Sequence, residues 1–155
     1  MNIPDERLSP HFMLSEFVRS QTADRQGIDN TPTPEIIERL RANAGNLEAV
    51  HVRLQAPVHI SSGYRCLALN RAIGSKDTSA HVRGDATDFE APEFGAPLEV
   101  CREIESSNIP FDQLIWEHTW THIGWAREGE TPRRQILTLM PGGKYAVGLV
   151  QVAAA

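Results

Sequence analysis

The sequence predicts a single α+β domain over residues 1–155, in which helices cover an antiparallel sheet. Two observations support this fold class. The length of 155 residues is typical of one domain, and no internal repeat or low-complexity linker divides the chain. Helical patterns alternate with short apolar runs up to about residue 107, and strand patterns at hairpin spacing follow them. The core is expected within residues 12–140.

The helix signals begin at Thr33 and Pro34, where a capping hydroxyl precedes a proline at the first helical position. Apolar residues then recur at roughly helical spacing as far as Val52. Gly45 and Asn46 interrupt this pattern and favour a kink or a break. The predicted helices cover residues 34–53, 67–73 and 97–107. A helical turn near residues 15–17 is expected in an otherwise irregular N-terminal segment.

The strand signals are short apolar or β-branched runs bounded by turn residues. The predicted strands cover residues 57–61, 84–90, 113–117, 121–126, 134–140 and 145–152. The third and fourth strands are close enough in sequence to form a hairpin.

The composition argues against several functional classes. The net charge of −5 disfavours nucleic-acid binding, which normally requires a basic face. No run of about 18 apolar residues predicts a membrane span, and the N-terminus lacks the pattern of a signal peptide. The chain is therefore expected to be cytoplasmic as synthesised. Cys66 and Cys101 lack CxxC spacing and are expected to be free thiols packed in the core.

The most informative stretch runs from Ser79 to Phe89, with His81 and Asp88 seven residues apart. Asp88 falls in a run of small and apolar residues that is typical of a buried strand. A buried carboxylate is costly unless a cation, a metal or several donors pair with it. Together with His122 on a later strand, the two residues match the ligand set of a catalytic zinc site. The alternative is that both histidines are ordinary hydrogen-bonded side chains and that Asp88 caps a turn.

Strand parity places small residues beside two of these candidates. Asp88 and His122 are each predicted to share a strand face with small neighbours, namely Gly84 and Ala86 for the first and Gly124 and Ala126 for the second. Such faces leave open volume where a core would normally place a large side chain. The pattern favours a site over a core position.

A hydrolytic zinc site also needs a general base beside the attacking water. Glu117 is the first candidate. A hairpin loop over residues 118–121, or a two-residue loop over 119–120, would place it directly opposite His122. A three-residue loop would not. His118 is the competing base or a substrate contact.

Arg65 ends a Ser-Gly-Tyr-Arg turn, where a fixed guanidinium can bind a substrate carboxylate or a developing oxyanion. An ordinary surface ion pair is the alternative for Arg65. Ser79 and Asp85 flank the metal candidates, and each can hold a ligand or the substrate through hydrogen bonds.

Three motifs together resemble the zinc D-Ala-D-Ala peptidase family, which contains zinc D-Ala-D-Ala carboxypeptidases and dipeptidases and the phage L-alanyl-D-glutamate endopeptidases. The first metal motif, the arginine-bearing segment and the second metal motif are matched by Ser79-x-His81-x-x-Gly84-x-Ala86-x-Asp88, by Ser62-Gly63-Tyr64-Arg65 with Leu69-Asn70, and by Trp120-Thr121-His122-Ile123. The resemblance covers about residues 12–140 and is strongest to compact single-domain members encoded by phages and prophages.

The resemblance implies the D-Ala-D-Ala carboxypeptidase/hedgehog-like fold and one zinc ion bound by His81, Asp88 and His122. It implies Arg65 as the group that polarises the scissile carbonyl or stabilises its oxyanion. Many members carry the catalytic acid three residues before the last histidine. This chain has Thr119 at that position, and its nearest acid is Glu117.

The activity implied is that of a zinc metallopeptidase that hydrolyses peptidoglycan stem peptides, as a D,D-carboxypeptidase or an endopeptidase. The expected setting is a phage or prophage, with release to the cell wall by a holin or delivery in a virion. The expected partners are peptidoglycan peptides, and the expected oligomeric state is a monomer. The rival interpretation is a non-enzymatic, zinc-stabilised phage structural or assembly module with the same fold.

Overall fold

A computed structural model describes residues 4–151 and confirms the α+β class. In chain order its elements are β1 (Arg7–Ser9), β2 (Phe12–Met13), α1 (Leu14–Val18), α2 (Gln21–Gln26), α3 (Pro34–Leu54), β3 (His59–Ser62), α4 (Leu67–Ala72), a 3-10 helix (Ala80–Arg83), β4 (Ala86–Glu90), α5 (Pro97–Glu105), β5 (Gln113–Trp116), β6 (Thr121–Gly124), β7 (Gln135–Leu139) and β8 (Tyr145–Val147). Within the described residues, none of the helices combines the length and the apolar character needed to cross a bilayer.

The N-terminal segment is more regular than the sequence indicates. β1 and β2 form a small antiparallel sheet, and α1 follows directly. The hydroxyl of Ser20 accepts a hydrogen bond from the Ala23 amide at 3.2 Å and begins α2, which ends at Gly27 with φ +64°. The prediction of an irregular segment is wrong because strands of two or three residues are too short for alternation to reveal.

Helix α3 confirms the longest predicted element. The Thr33 hydroxyl accepts a hydrogen bond from the Ile36 amide at 3.3 Å, and Pro34 is the first helical residue. The expected break at Gly45 and Asn46 is absent, and the helix continues to Leu54. Both residues are exposed, and a glycine inside an exposed helix costs only about 1 kcal/mol.

The larger sheet has six strands in the order β3-β4-β6-β5-β7-β8. β5 pairs with β6 and β7 pairs with β8 in antiparallel fashion, as predicted, whereas β5 and β7 run parallel. The sheet is therefore mixed rather than wholly antiparallel. The connection over residues 125–134 carries the chain to the other edge of β5, so β7 begins at the same end of the sheet as β5. The predicted last strand reaches residue 152, which lies outside the described residues, and β8 ends at Val147.

The two faces of the β5–β6 hairpin have different partners. Thr121 and Ile123 lie on the face against which α5 packs, and the Cys101 sulfur on α5 is 3.6 Å from the Thr121 hydroxyl. His122 and its cross-strand partner Ile115 lie on the opposite face. The hairpin therefore presents His122 on the face that α5 does not cover.

The chain divides into two compact units. The first contains the residues up to Glu48 and Ile60–Thr87, and in it the buried rings of Phe12 and Phe17 pack edge to face with centroids 6.1 Å apart. The second contains Ala49–His59 and the residues from Asp88 onward. Its buried apolar side chains include Phe89, Val100, Ile104, Phe111, Leu114 and Ile123. The expectation of one domain stays a prediction.

Both cysteines are free thiols. Cys101 is fully buried, as predicted. Cys66 is only half-buried, because its sulfur lies at the N-terminus of α4 and accepts a hydrogen bond from the Leu69 amide at 3.5 Å. The prediction of a core position is wrong for Cys66.

Candidate metal centre and catalytic residues

His81 lies in the 3-10 helix Ala80–Arg83, with 2% of its surface exposed. The helix begins at Ser79, whose hydroxyl accepts a hydrogen bond from the His81 amide at 3.3 Å. Nδ1 of His81 is 2.6 Å from the carbonyl oxygen of Gly63. A carbonyl can only accept, so Nδ1 carries the proton and Nε2 carries the lone pair. A backbone carbonyl that fixes the tautomer in this way is typical of histidines that bind metals.

The turn that contains Gly63 is held against two other segments. The Tyr64 amide donates to the Phe17 carbonyl at 2.7 Å, and the Arg65 amide donates to the His81 carbonyl at 3.1 Å. A Cβ at position 63 would lie 2.6 Å from the Phe17 carbonyl oxygen, which only glycine avoids. The close approach of the Phe17 backbone therefore explains the glycine whose carbonyl orients His81.

Asp88 and His122 meet on adjacent strands. Asp88 lies on β4 and His122 on β6, and each exposes 7% of its surface. Asp88 Oδ1 is 2.9 Å from His122 Nδ1. The buried carboxylate thus has an imidazole beside it, as a carboxylate in an apolar strand requires.

The predicted metal ligands come together. His81, Asp88 and His122 each offer one ligand atom, and these atoms lie within 4.8 Å of one another. All three side chains are buried. Two imidazoles and one carboxylate are a donor set that suits zinc, and the tautomer of His81 presents Nε2 as its ligand atom. The residues present therefore fit a metal ion, and their assignment as ligands stays a prediction.

The predicted position of Glu117 is wrong in register. Ile115, not Glu117, lies directly opposite His122. The Glu117 amide donates to the Trp120 carbonyl at 3.2 Å, so the hairpin loop consists of residues 118–119. Glu117 is two residues beyond Ile115 and therefore lies on the His122 face as a diagonal neighbour, at a Cα separation of about 7–8 Å. Its carboxylate accepts a hydrogen bond from the Trp120 indole at 2.7 Å.

His118 lies at the tip of this hairpin in the left-handed region, with φ +64°. Its Nε2 is 2.6 Å from the Leu139 carbonyl oxygen, and its ring is 4.4 Å from the Trp116 ring between centroids. Nε2 must donate to that carbonyl, which leaves Nδ1 as the proton-accepting atom of the neutral ring. Both Glu117 and His118 remain candidates for the base.

The Arg65 guanidinium is fixed by two side chains of its own segment. Nε donates to Asn70 Oδ1 at 3.1 Å, and one terminal nitrogen donates to the Ser62 hydroxyl at 3.3 Å. Arg65 is half-buried and Asn70 is fully buried. These bonds hold the guanidinium in one orientation, and its role toward substrate stays a prediction.

A family model described as Peptidase M15 matches residues 10–124. The chain belongs to the peptidase M15 family. This is the zinc D-Ala-D-Ala peptidase family, so the predicted family is confirmed and the implied activity is that of a metallopeptidase. The match includes all three candidate metal ligands and ends with β6. A comparison with curated proteins finds no match.

In this M15 peptidase, helix α3 fixes the segment between the first two metal candidates. The buried Asn43 donates from Nδ2 to the carbonyls of Gly84 and Ala86, at 3.1 and 3.3 Å, and accepts from the Thr87 hydroxyl at 3.0 Å. Asn43 is not among the residues predicted from the sequence. The signal for it is a polar residue in the apolar stripe of α3, three residues after the buried Leu40.

Asp85 has basic partners in this M15 peptidase. Its carboxylate is ion-paired with Arg39 of α3, whose Nε donates to Oδ1 at 3.0 Å, and with Arg83 at 3.2 Å. Arg39 Nε also donates to the Arg83 carbonyl at 3.0 Å. Asp85 therefore ties the end of the 3-10 helix to α3. A contact of Asp85 or Ser79 with substrate stays a prediction.

Two of the small residues predicted to share strand faces with Asp88 and His122 lie outside the strands. β4 begins at Ala86, so Gly84 precedes it and instead ends the 3-10 helix with φ +77°. A Cβ at Gly84 would face Leu40 at 3.4 Å, so this glycine serves a left-handed turn rather than open space before Asp88. Ala126 lies beyond β6, which ends at Gly124.

Proposed function

We propose that the protein is a zinc peptidase that hydrolyses a peptide bond in peptidoglycan stem peptides, with one zinc ion held by His81, Asp88 and His122. The observation that carries the proposal is the buried cluster of these three residues inside the part of the chain that matches the family. A zinc ion in a site of three protein ligands acts as a Lewis acid and makes water nucleophilic near neutral pH.

Glu117 is the proposed general base. It takes the proton of the attacking water and returns it to the leaving amine. Its position on the His122 face and the hydrogen bond from the Trp120 indole support this role. The first places the carboxylate on the same side of the sheet as His122, and the second holds its orientation. His118 is the second candidate, through Nδ1, and is otherwise a substrate contact.

Arg65 is the proposed electrophilic residue, which stabilises the negative charge that develops on the scissile carbonyl oxygen. The hydrogen bonds from its guanidinium to Asn70 and Ser62 support the role, because a preorganised donor loses little freedom during the reaction. Ser79 lies two residues from His81 and is proposed to contact the substrate backbone.

The sequence motifs support a phage or prophage origin, with release by a holin or delivery in a virion as the route to the cell wall.

The experiment that tests the proposed activity is to incubate the zinc-loaded protein with purified muropeptides and to identify products by mass spectrometry. Loss of a terminal alanine would indicate a carboxypeptidase, and separation into two fragments an endopeptidase. Cleavage should stop with a chelator, return with zinc, and be absent in Asp88→Asn. No cleavage by the zinc-loaded protein would favour the non-enzymatic module.

A further inference from the structure

The face of the sheet that carries His122 continues onto β7 and β8. Ile115 lies opposite His122 on one side and beside Leu137 on the other, and Leu137 lies opposite Val147. Side chains paired across neighbouring strands lie on the same face of a sheet. Two residues further along, Leu139 pairs with Tyr145 on that face. We call Leu137, Leu139, Tyr145 and Val147 the β7–β8 shelf.

The shelf is apolar and open to solvent. Val147 exposes 84% of its surface and Tyr145 exposes 50%, while Leu137 and Leu139 are half-buried. On the other face of β7, Thr138 is fully buried. Exposed apolar side chains that adjoin one another on a sheet face are typical of binding surfaces.

Two observations connect the shelf to the candidate catalytic residues. His118 is hydrogen-bonded through Nε2 to the Leu139 carbonyl, which ties the tip of the β5–β6 hairpin to the shelf. Burial raises the pKa of Tyr145, and the negative charges of Glu117 and Asp88 raise it further. The phenol therefore lies within electrostatic reach of both carboxylates.

We propose that the β7–β8 shelf binds the part of the stem peptide that is remote from the scissile bond, with Tyr145 as a specificity-determining contact. The inference rests on the proposed function. Because the shelf is continuous with the face that holds His122, a substrate bound at the metal candidates can extend along that face onto the shelf. A tyrosine offers a large rigid apolar surface with one polar atom, which suits a short peptide of small side chains.

The strand order gives the length of peptide that would span from His122 to the shelf. β6 and β8 are three strand spacings apart, which is about 14 Å, and an extended peptide covers that distance in about four residues. A stem peptide of that length reaches the shelf from the scissile bond, whereas a dipeptide does not. The shelf also lies outside the residues 10–124 that the family model matches, so this match says nothing about the specificity of the shelf.

The test compares wild type, Tyr145→Ala, Tyr145→Phe and Val147→Ser, with zinc content measured first. Binding of an intact stem pentapeptide to the chelator-treated proteins is measured by calorimetry, and cleavage of the same peptide by the zinc-loaded proteins gives KM and kcat. Tyr145→Ala should weaken binding and raise KM about tenfold, because an aromatic side chain loses its contact. Its zinc content and kcat should stay within about twofold of wild type, and Tyr145→Phe should retain most of the affinity.

Val52→Ser is the matched control for Val147→Ser, since Val52 is also an exposed valine, on α3. Only the Val147 variant should bind the peptide more weakly. Unchanged binding and KM in Tyr145→Ala would overturn the proposed role of the shelf in peptide binding, even if wild type cleaves the peptide. Binding that depends on Tyr145 without any cleavage would support the shelf and reject the peptidase. A wild type that neither binds nor cleaves would reject both.

Discussion

At the scale of single residues, two side chains are candidates for the general base. Glu117 and His118 are adjacent; the Glu117 carboxylate accepts a hydrogen bond from the Trp120 indole, and the His118 imidazole donates one to the Leu139 carbonyl. The carboxylate lies on the strand face of His122, whereas the imidazole lies at the loop tip and is exposed. This difference favours Glu117.

Glu117→Gln should retain zinc and lower kcat by about 10²–10⁴-fold, because the amide keeps a hydrogen-bond acceptor for the Trp120 indole but cannot take a proton at neutral pH. His118→Gln is the matched control and should lower kcat less than tenfold. The measurements are zinc content and steady-state kinetics on a muropeptide. The reverse order of effects in the two variants would move the base to His118.

A second residue-scale prediction concerns Gly63. Gly63→Ala places a Cβ against the Phe17 backbone and should lower the free energy of unfolding by about 3 kcal/mol. It should also weaken zinc binding, because the Gly63 carbonyl orients His81. Gly45→Ala is the control: its Cβ meets nothing within 4 Å in an exposed helix and should raise stability by up to about 1 kcal/mol. Urea unfolding and zinc titration measure both effects. Equal stability of the two variants would contradict the steric account.

At the scale of secondary-structure elements, α3 determines where the segment before Asp88 lies. Asn43→Leu leaves the Gly84 and Ala86 carbonyls and the Thr87 hydroxyl without this amide in a buried region. Each buried polar group that loses its partner costs about 1–3 kcal/mol, so the free energy of unfolding should fall by roughly 3 kcal/mol or more. Zinc affinity should fall with it.

Asn46→Leu makes the same change on an exposed position of the same helix and should alter stability by less than about 0.5 kcal/mol. Chemical denaturation in the presence of a chelator measures both variants without a contribution from the metal. A loss in Asn46→Leu as large as that in Asn43→Leu would show that the loss does not come from the contacts of Asn43 with the segment before Asp88.

The elements that the sequence predicts well are those specified by nearby residues. α3 begins at Pro34 as predicted, because a capping hydroxyl and a proline act within one turn. The hairpin register is wrong by one pair, because its loop has no Asn-Gly signal and instead places His118 at positive φ. The parallel direction of β7 depends on pairing with a strand about 20 residues away, which local patterns do not encode. The meeting of His81, Asp88 and His122 was predictable because buried histidines and carboxylates are unusual, whereas Asn43 resembles any polar helix residue.

At the scale of the whole molecule, Cys101 gives stability a dependence on pH. Burial raises the pKa of its thiol from 9.0 to about 12. The folded pKa lies above the unfolded one, so this contribution is fully present below about pH 9 and is lost as the pH rises toward 12. The loss should be at most about 1.4 kcal/mol per pH unit. The difference in unfolding free energy between wild type and Cys101→Ala should shrink from about pH 9 upward. Comparing the two proteins cancels the contributions of the other titrating groups, which they share. A constant difference would contradict the shift.

Zinc binding should stabilise the whole molecule, because the unfolded chain cannot hold the ligand atoms of three residues distant in sequence within 4.8 Å of one another. Free zinc at about 100 times its dissociation constant adds roughly 2.7 kcal/mol, which raises the Tm of a chain of this size by about 5–10 °C. His122→Ala should abolish this shift. His59→Ala should keep the shift. His59 is exposed, is hydrogen-bonded to Glu93, and is not one of the three residues of the cluster. Thermal unfolding with zinc and with chelator measures the shift. A zinc-dependent shift of equal size in both variants would place the ion elsewhere, and the peptidase mechanism proposed for these residues would fail with it.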